Sequence, residues 1–316
     1  MVALFFCATV HRYTCMLSYS LPAAKHPIVI VSKSFAWLRL ISMHIRLFPS
    51  ILPIAAVTVA LFGILLPSQL HATQDADPET GIDPASCRVA PYGKVSLCWN
   101  ADEAIFPRAK QFAMSATPLE GEERERALKI VDAALLRYPP SLLEQSLKAV
   151  FVVDTLNFRG ISASGTYDGK RVYLANRGVK KGFTDEWISG VFHSEFSSIL
   201  MWRYSKFFDK AAWQACNSPE FTYGGGGVDA VKNGTARTTP AEEWWKKGFI
   251  SQYGTASMEE DFNQVVKYMF THSVSDRPIL AVSTQLQQKA VLTKDFYRKL
   301  GVDIDALANT NVEPAK

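Results

Sequence analysis

The chain has 316 residues, 48% of them hydrophobic and 12% aromatic, so its bulk is globular and large enough for one domain or two small ones. Its formal net charge of +4 is unevenly spread: Arg12, Lys25, Lys33, Arg39 and Arg46 fall within residues 1–72, which contain no Asp or Glu. Residues 73–316 are left with 29 basic and 30 acidic side chains, and nothing in that balance points to a nucleic-acid surface.

From Met43 the chain reads MHIRLFPSILPIAAVTVALFGILLPSQLHATQ. A short basic start (His44, Arg46), an uncharged apolar run over 51–66 and small residues around Ala72 have the layout of a secretory signal peptide. The alternative is an uncleaved anchor, although a bilayer span needs about 20 apolar residues and this run is slightly short. Residues 1–42 lie upstream of a good internal start at Met43 and read as a mis-assigned beginning. The expectation is export, periplasmic or secreted, with membrane contact only if 51–66 stays uncleaved. No Leu-x-x-Cys pattern of a lipoprotein follows.

Residues 73–118 read as a lead-in, acidic and Pro-rich over 73–86. Within it Cys87 and Cys98 flank a short Pro/Gly-containing loop, and an oxidising compartment favours joining them. Cys7 and Cys15 fall in the segment expected to be lost, and Cys216 is expected to be a buried thiol without a partner.

Residues 119–316 form the expected main domain. Leu128, Val131, Leu135 and Tyr138 recur at helical spacing and predict a helix over 122–138, ended by Pro139-Pro140. AVFVVD (149–154) and KRVYLA (170–175) predict strands, the second entered through Tyr167-Asp168-Gly169 and expected at a sheet edge. The small, permissive GISASG between them suits an edge or loop beside a cleft.

Thr184 is positioned to cap the next helix, with Asp185 and Glu186 in its first turn. Trp187, Val191, Phe192, Phe196, Ile199 and Leu200 cover more than one face, which predicts burial on most sides. YGGGGVDAVKNG (223–234) predicts a mobile loop and lacks the ending of a phosphate loop. Asn233-Gly-Thr matches a glycosylation acceptor. Thr239-Pro240 with Glu242 opens a short helix closed by Gly248. SMEEDFNQVVKYMF (257–270) carries an apolar stripe of Phe262, Val265, Val266 and Met269, and a last helix spans about 286–300. The fold class expected is α+β: a small sheet packed on a buried helix, followed by further helices.

The buried helix contains VFHSEFSSIL, which resembles a zinc-peptidase HExxH helix with Ser194 and Ser198 at both histidine positions. YGTASMEEDF resembles the second-helix segment of the anthrax lethal factor-like peptidases and related zinc-binding metallopeptidases, in which a glutamate ligand follows a Tyr-Gly pair. The resemblance covers about residues 120–300 and implies a zincin-like fold of the glutamate-ligand type. It also implies roles: Glu195 as general base, Tyr253 as transition-state hydrogen-bond donor and Glu260 as metal ligand.

The departures bear on chemistry. Serine hydroxyls are poor zinc ligands at neutral pH. After Ala72 the only histidines are His193 and His272. His193 sits one residue before the ligand position, a rotation of about 100° around the helix. Each residue also has a plain structural reading. Ser257-x-x-Glu260 is a capping box, Glu195 is a carboxylate paired with Arg203 or Arg177, Tyr253 packs, and His193 is a satisfied core histidine. A serine nucleophile is not supported, because His193 and either Ser194 or Ser198 point to different sides of one helix.

Two functions remain. The first is a non-catalytic module that needs no cofactor and holds a peptide or protein in the former substrate cleft, walled by the 170–175 strand, with Ser194, Ser198 and His193 in the binding surface. The alternative is a metallopeptidase with an altered zinc ligand set using Glu195, Glu260 and either Asp261 or His193.

Overall fold

In the computed structural model, residues 82–101, 113–158 and 160–308 are described, and the expected signal peptide and residues 1–42 lie outside them. No helix among the described residues is long and apolar enough to cross a membrane.

A five-stranded sheet has β1 (Cys87–Val89), β2 (Ser96–Cys98), β4 (Ala149–Val153), β8 (Arg171–Ala175) and β7 (Gly165–Asp168) side by side in that order. The three inner strands run parallel, and β1 and β7 pair antiparallel at the two edges. A smaller antiparallel sheet orders β3 (Ser115–Thr117), β5 (Thr155–Phe158) and β6 (Ile161–Ser162). The helices are α1 (Gly121–Leu135), α2 (Pro140–Ser146), α3 (Asp185–Arg203), α4 (Lys210–Ala215), α5 (Gly227–Lys232), α6 (Glu242–Trp245), α7 (Met258–Thr271), α8 (Thr284–Lys299) and α9 (Ile304–Ala308). The fold is mixed α+β.

β4 shows why the sheet is central. All five of its residues are buried, and they alternate between two cores. Val150 and Val152 join the large helical core, while Ala149, Phe151 and Val153 join a smaller one with Cys98 and Leu156. Such continuous apolar runs belong to parallel strands covered on both faces. β8 follows the same rule with Val172 and Leu174 on one side and Tyr173 and Ala175 on the other.

That placement corrects one expectation. The 170–175 strand is not an edge; it lies between β4 and β7, and the edge is β7. The donated bond Ala175 N–H to Ser164 O, at 2.9 Å, sets the alternation. It turns the Thr166 backbone toward β8 and the Gly165 and Tyr167 backbones outward.

Cys87 and Cys98 face each other across β1 and β2 and are joined as a disulfide, so residues 87–98 are part of the main sheet. Cys216 is free and buried. Pro139-Pro140 does more than stop a helix: α1 ends at Leu135 and Pro140 opens α2. The segment 223–234 is not wholly loop, since its second half is α5.

α3 starts where expected, Thr184 Oγ accepting from the Trp187 N–H at 3.2 Å. Ile188, Phe192, Phe196 and Leu200 are fully buried, and α3 packs most extensively against α7, then against α1 and β7. The candidate residues sit in this crossing.

Candidate functional site

One buried amide bridges α3 and α7 at their crossing. The Asn263 Nδ2 group donates to Ser198 Oγ at 2.8 Å. The Ser197 hydroxyl lies 2.5 Å from Asn263 Oδ1 and 2.7 Å from the Ser194 carbonyl, which share its single proton. Ser197, Ser198 and Asn263 are all buried, so each bond satisfies a group that water cannot reach. A methyl-sized polar head at 198 fits because Asn263 reaches across from the partner helix. Asn263 was missed in the sequence, although a polar residue set between Phe262 and Val265 in a buried stripe is a usable signal.

His193 points elsewhere. It is buried, its Nδ1 shares a hydrogen bond of 2.7 Å with the Tyr138 hydroxyl, and its ring stacks on Phe270 at 4.2 Å. Burial holds its pKa well below the ordinary histidine value, with Arg137 acting the same way, so it is a neutral core histidine.

Glu195 lies directly beneath the edge strand. A Cβ built on Gly165 would come within 2.7 Å of Val191 Cγ1 and 3.0 Å of Glu195 Oε1, so glycine is what lets β7 approach α3 this closely. The expected pairing with Arg203 or Arg177 is not formed: both are exposed, and Arg203 lies over the Tyr204 ring. Glu195 makes no hydrogen bond or ion pair among the described residues. Burial raises its pKa well above the usual carboxylate range, Glu260 and Glu259 raise it further, and Lys267 of α7 opposes them. Lys267 is itself pushed down by burial.

Glu260 combines two of the expected readings. Its backbone N–H is capped by Ser257 Oγ at 3.1 Å, while its carboxylate accepts from the Tyr253 hydroxyl at 2.8 Å. Burial, with Glu259 adding, lifts its pKa to about 7 against the Tyr253 hydrogen bond. The neighbouring Glu259 accepts from Tyr167 of β7 at 2.7 Å and from Trp202 Nε1 at 3.3 Å. The edge strand is thereby tied to the start of α7.

The glycine segment closes on this pair. Gly224 N–H donates to Thr255 O and Gly226 N–H to Ala256 O, each at 3.0 Å. A Cβ on Gly227 would lie 2.6 Å from Glu260 Oε1 and inside contact distance of the Tyr253 hydroxyl.

Asp261 faces away from Glu195 and Glu260. Its Oδ2 is 2.7 Å from Lys289 Nζ, both side chains being fully buried, and accepts from Trp213 Nε1 at 3.0 Å and the Tyr223 hydroxyl at 2.6 Å. Lys289 also donates to the Gly248 carbonyl and lies 4.0 Å from the Phe249 ring centre.

Chemically, the arrangement gathers Glu195, Glu259, Glu260 and Tyr253 beneath β7, close enough to act on one another's protonation, and directs His193 and Asp261 elsewhere. Its donors do not fit zinc: Ser198 is committed to Asn263, His193 to Tyr138, and Asp261 to Lys289. Among the described residues no three His, Cys, Asp or Glu side chains gather closely enough to hold a metal ion. An open cleft of about 440 Å³ is lined by Arg126, Lys129, Arg137, Asp185, Glu186 and Phe270 among others, and by none of the candidate residues. Comparison of the chain with family models, with curated proteins and with solved structures finds no match.

Proposed function

We propose that this chain is an exported, non-catalytic binding module of zincin-like descent that holds an extended peptide by adding it to the β7 edge. The observation that carries the reading is that edge. Its outward backbone groups, at Gly165 and Tyr167, have no paired strand among the described residues, and Gly165 lies against Glu195 at the crossing of α3 and α7. An open edge with a shaped floor is what strand addition uses: main-chain hydrogen bonds supply affinity and alternate side chains fill pockets.

The zincin-like reading draws support from the order of elements, with an edge strand over a buried helix that carries Glu195 and a second helix that carries Glu260. The serines draw support as replacements for ligands, because the Ser198–Asn263 bond ties α3 to α7 at a position where a bound metal would otherwise join them.

The test is amide exchange of the full protein titrated with a library of extended heptapeptides. Binding by strand addition slows exchange at Gly165 and Tyr167, with Thr166 already slow in the free protein. Glu195→Gln leaves the affinity of any binding peptide within about threefold, since main-chain bonds carry it. Peptide cleavage abolished by that substitution would instead establish the enzyme reading.

A further inference from the structure

We propose that residues 223–227 are a lid over the Tyr253–Glu260 pair, hinged at Gly224 and Gly225 and latched by the Tyr223 hydroxyl on Asp261. The lid regulates access to the carboxylates beneath the β7 edge, a purpose that rests on the preceding reading, but its movement is testable without any ligand.

Closure and latch are separable in the structure. The closing contacts are the Gly224–Thr255 and Gly226–Ala256 backbone bonds and the approach of Gly227 to Glu260 Oε1. The latch is Tyr223, which donates to Asp261 Oδ2 at 2.6 Å and accepts from Asn217 Nδ2 at 2.9 Å. Asp261 is fully buried and bonded to Lys289 and Trp213 in the core, so the latch is anchored to the packed interior.

Only two of the four glycines are required by the closed form. Gly226 has φ +106° and Gly227 has no room for a Cβ. At Gly224 a Cβ would meet nothing nearer than 3.5 Å, and at Gly225 it would meet only the exposed Asp229 side chain. Neither has a positive φ. Glycine at 224 costs backbone entropy on closure with no steric return, and at 225 it spares only a shift of one exposed side chain, so that freedom serves opening. A cavity of about 370 Å³, lined in part by Phe221, Gly224, Gly225, Gly226 and Trp244, lies alongside the segment and gives it room.

The experiment compares the full protein with Tyr223→Phe and Gly227→Ala, using amide exchange and carbodiimide labelling of carboxyl groups near pH 6. In the wild type, Glu260 labels slowly relative to the exposed Glu186. Losing the latch hydrogen bond, about 1.4 kcal/mol, raises Glu260 labelling and exchange at Gly224 and Gly226 about tenfold in Tyr223→Phe. Glu186 labelling and the amides of 262–270 stay unchanged. Gly227→Ala, which obstructs closure without touching the latch, gives the same pattern. Unchanged Glu260 labelling in both variants would overturn the lid, as would an equal rise across 262–270, which would mean that the helix itself had loosened.

Discussion

Asn263→Ala tests whether one amide holds the α3–α7 crossing. The substitution leaves Ser198 Oγ buried with no partner, whereas Ser197 keeps the Ser194 carbonyl at 2.7 Å. One buried hydroxyl without a partner costs about 1–3 kcal/mol, and with the packing lost around the amide the expected total is about 2–4 kcal/mol. At about 2–4 °C per kcal/mol for a domain of this size, Tm falls by roughly 5–15 °C. Urea unfolding followed by tryptophan fluorescence, with thermal unfolding by circular dichroism, measures both. The double variant Ser198→Ala/Asn263→Ala removes the orphan as well, so it recovers about 1–2 kcal/mol relative to the sum of the single effects. A loss below about 0.5 kcal/mol with additive single variants would refute the clamp.

Three further outcomes follow from the buried charges and the disulfide. Lys289→Met strands Asp261 in a fully buried position and is expected to destabilise by about 3–5 kcal/mol, and Asp261→Asn in the same chain restores part of it; urea midpoints measure both. Glu260, with a folded pKa raised to about 7 among Glu195, Glu259, Lys267 and Tyr253, contributes stability that is fully present below its unfolded pKa near 4.5 and is lost as pH rises through 7. The shift corresponds to about 3 kcal/mol, Glu195 acts in the same direction, and Glu260→Gln flattens a Tm profile measured between pH 4.5 and 7.5. Reducing Cys87–Cys98 is expected to lower stability by about 2–3 kcal/mol, read as a shift in urea midpoint with and without a phosphine reductant.

Local physics made several elements legible before the fold. The Thr184 and Ser257 caps, the buried faces of α3 and α7, and the Cys87–Cys98 pairing each depend on nearby residues or on compartment chemistry. The errors were in long-range pairing. RVYLA was read as an edge, yet its unbroken apolar run suits burial on both faces, and the edge fell to the smaller, more polar GTYD. Of the two readings open for Glu195, the arginine pairing fails, because Arg203 and Arg177 are exposed and the cation acting on it comes from α7. Asn263 could be noticed as a polar residue in an apolar stripe; that it would bridge Ser197 and Ser198 of another helix depended on a crossing no local pattern encodes. The glycine run was legible as freedom of the backbone, and not as contact with Tyr253 and Glu260.

The α3–α7 crossing is bridged by an amide, and we propose that it serves binding, with no ligand set for zinc. Zinc affinity and metal content of the purified full protein, measured after dialysis against trace zinc, test it most directly. The expected result is a folded protein with no stoichiometric zinc and no change in Tm on adding zinc. A tightly held equivalent, lost in Glu260→Gln, would contradict it.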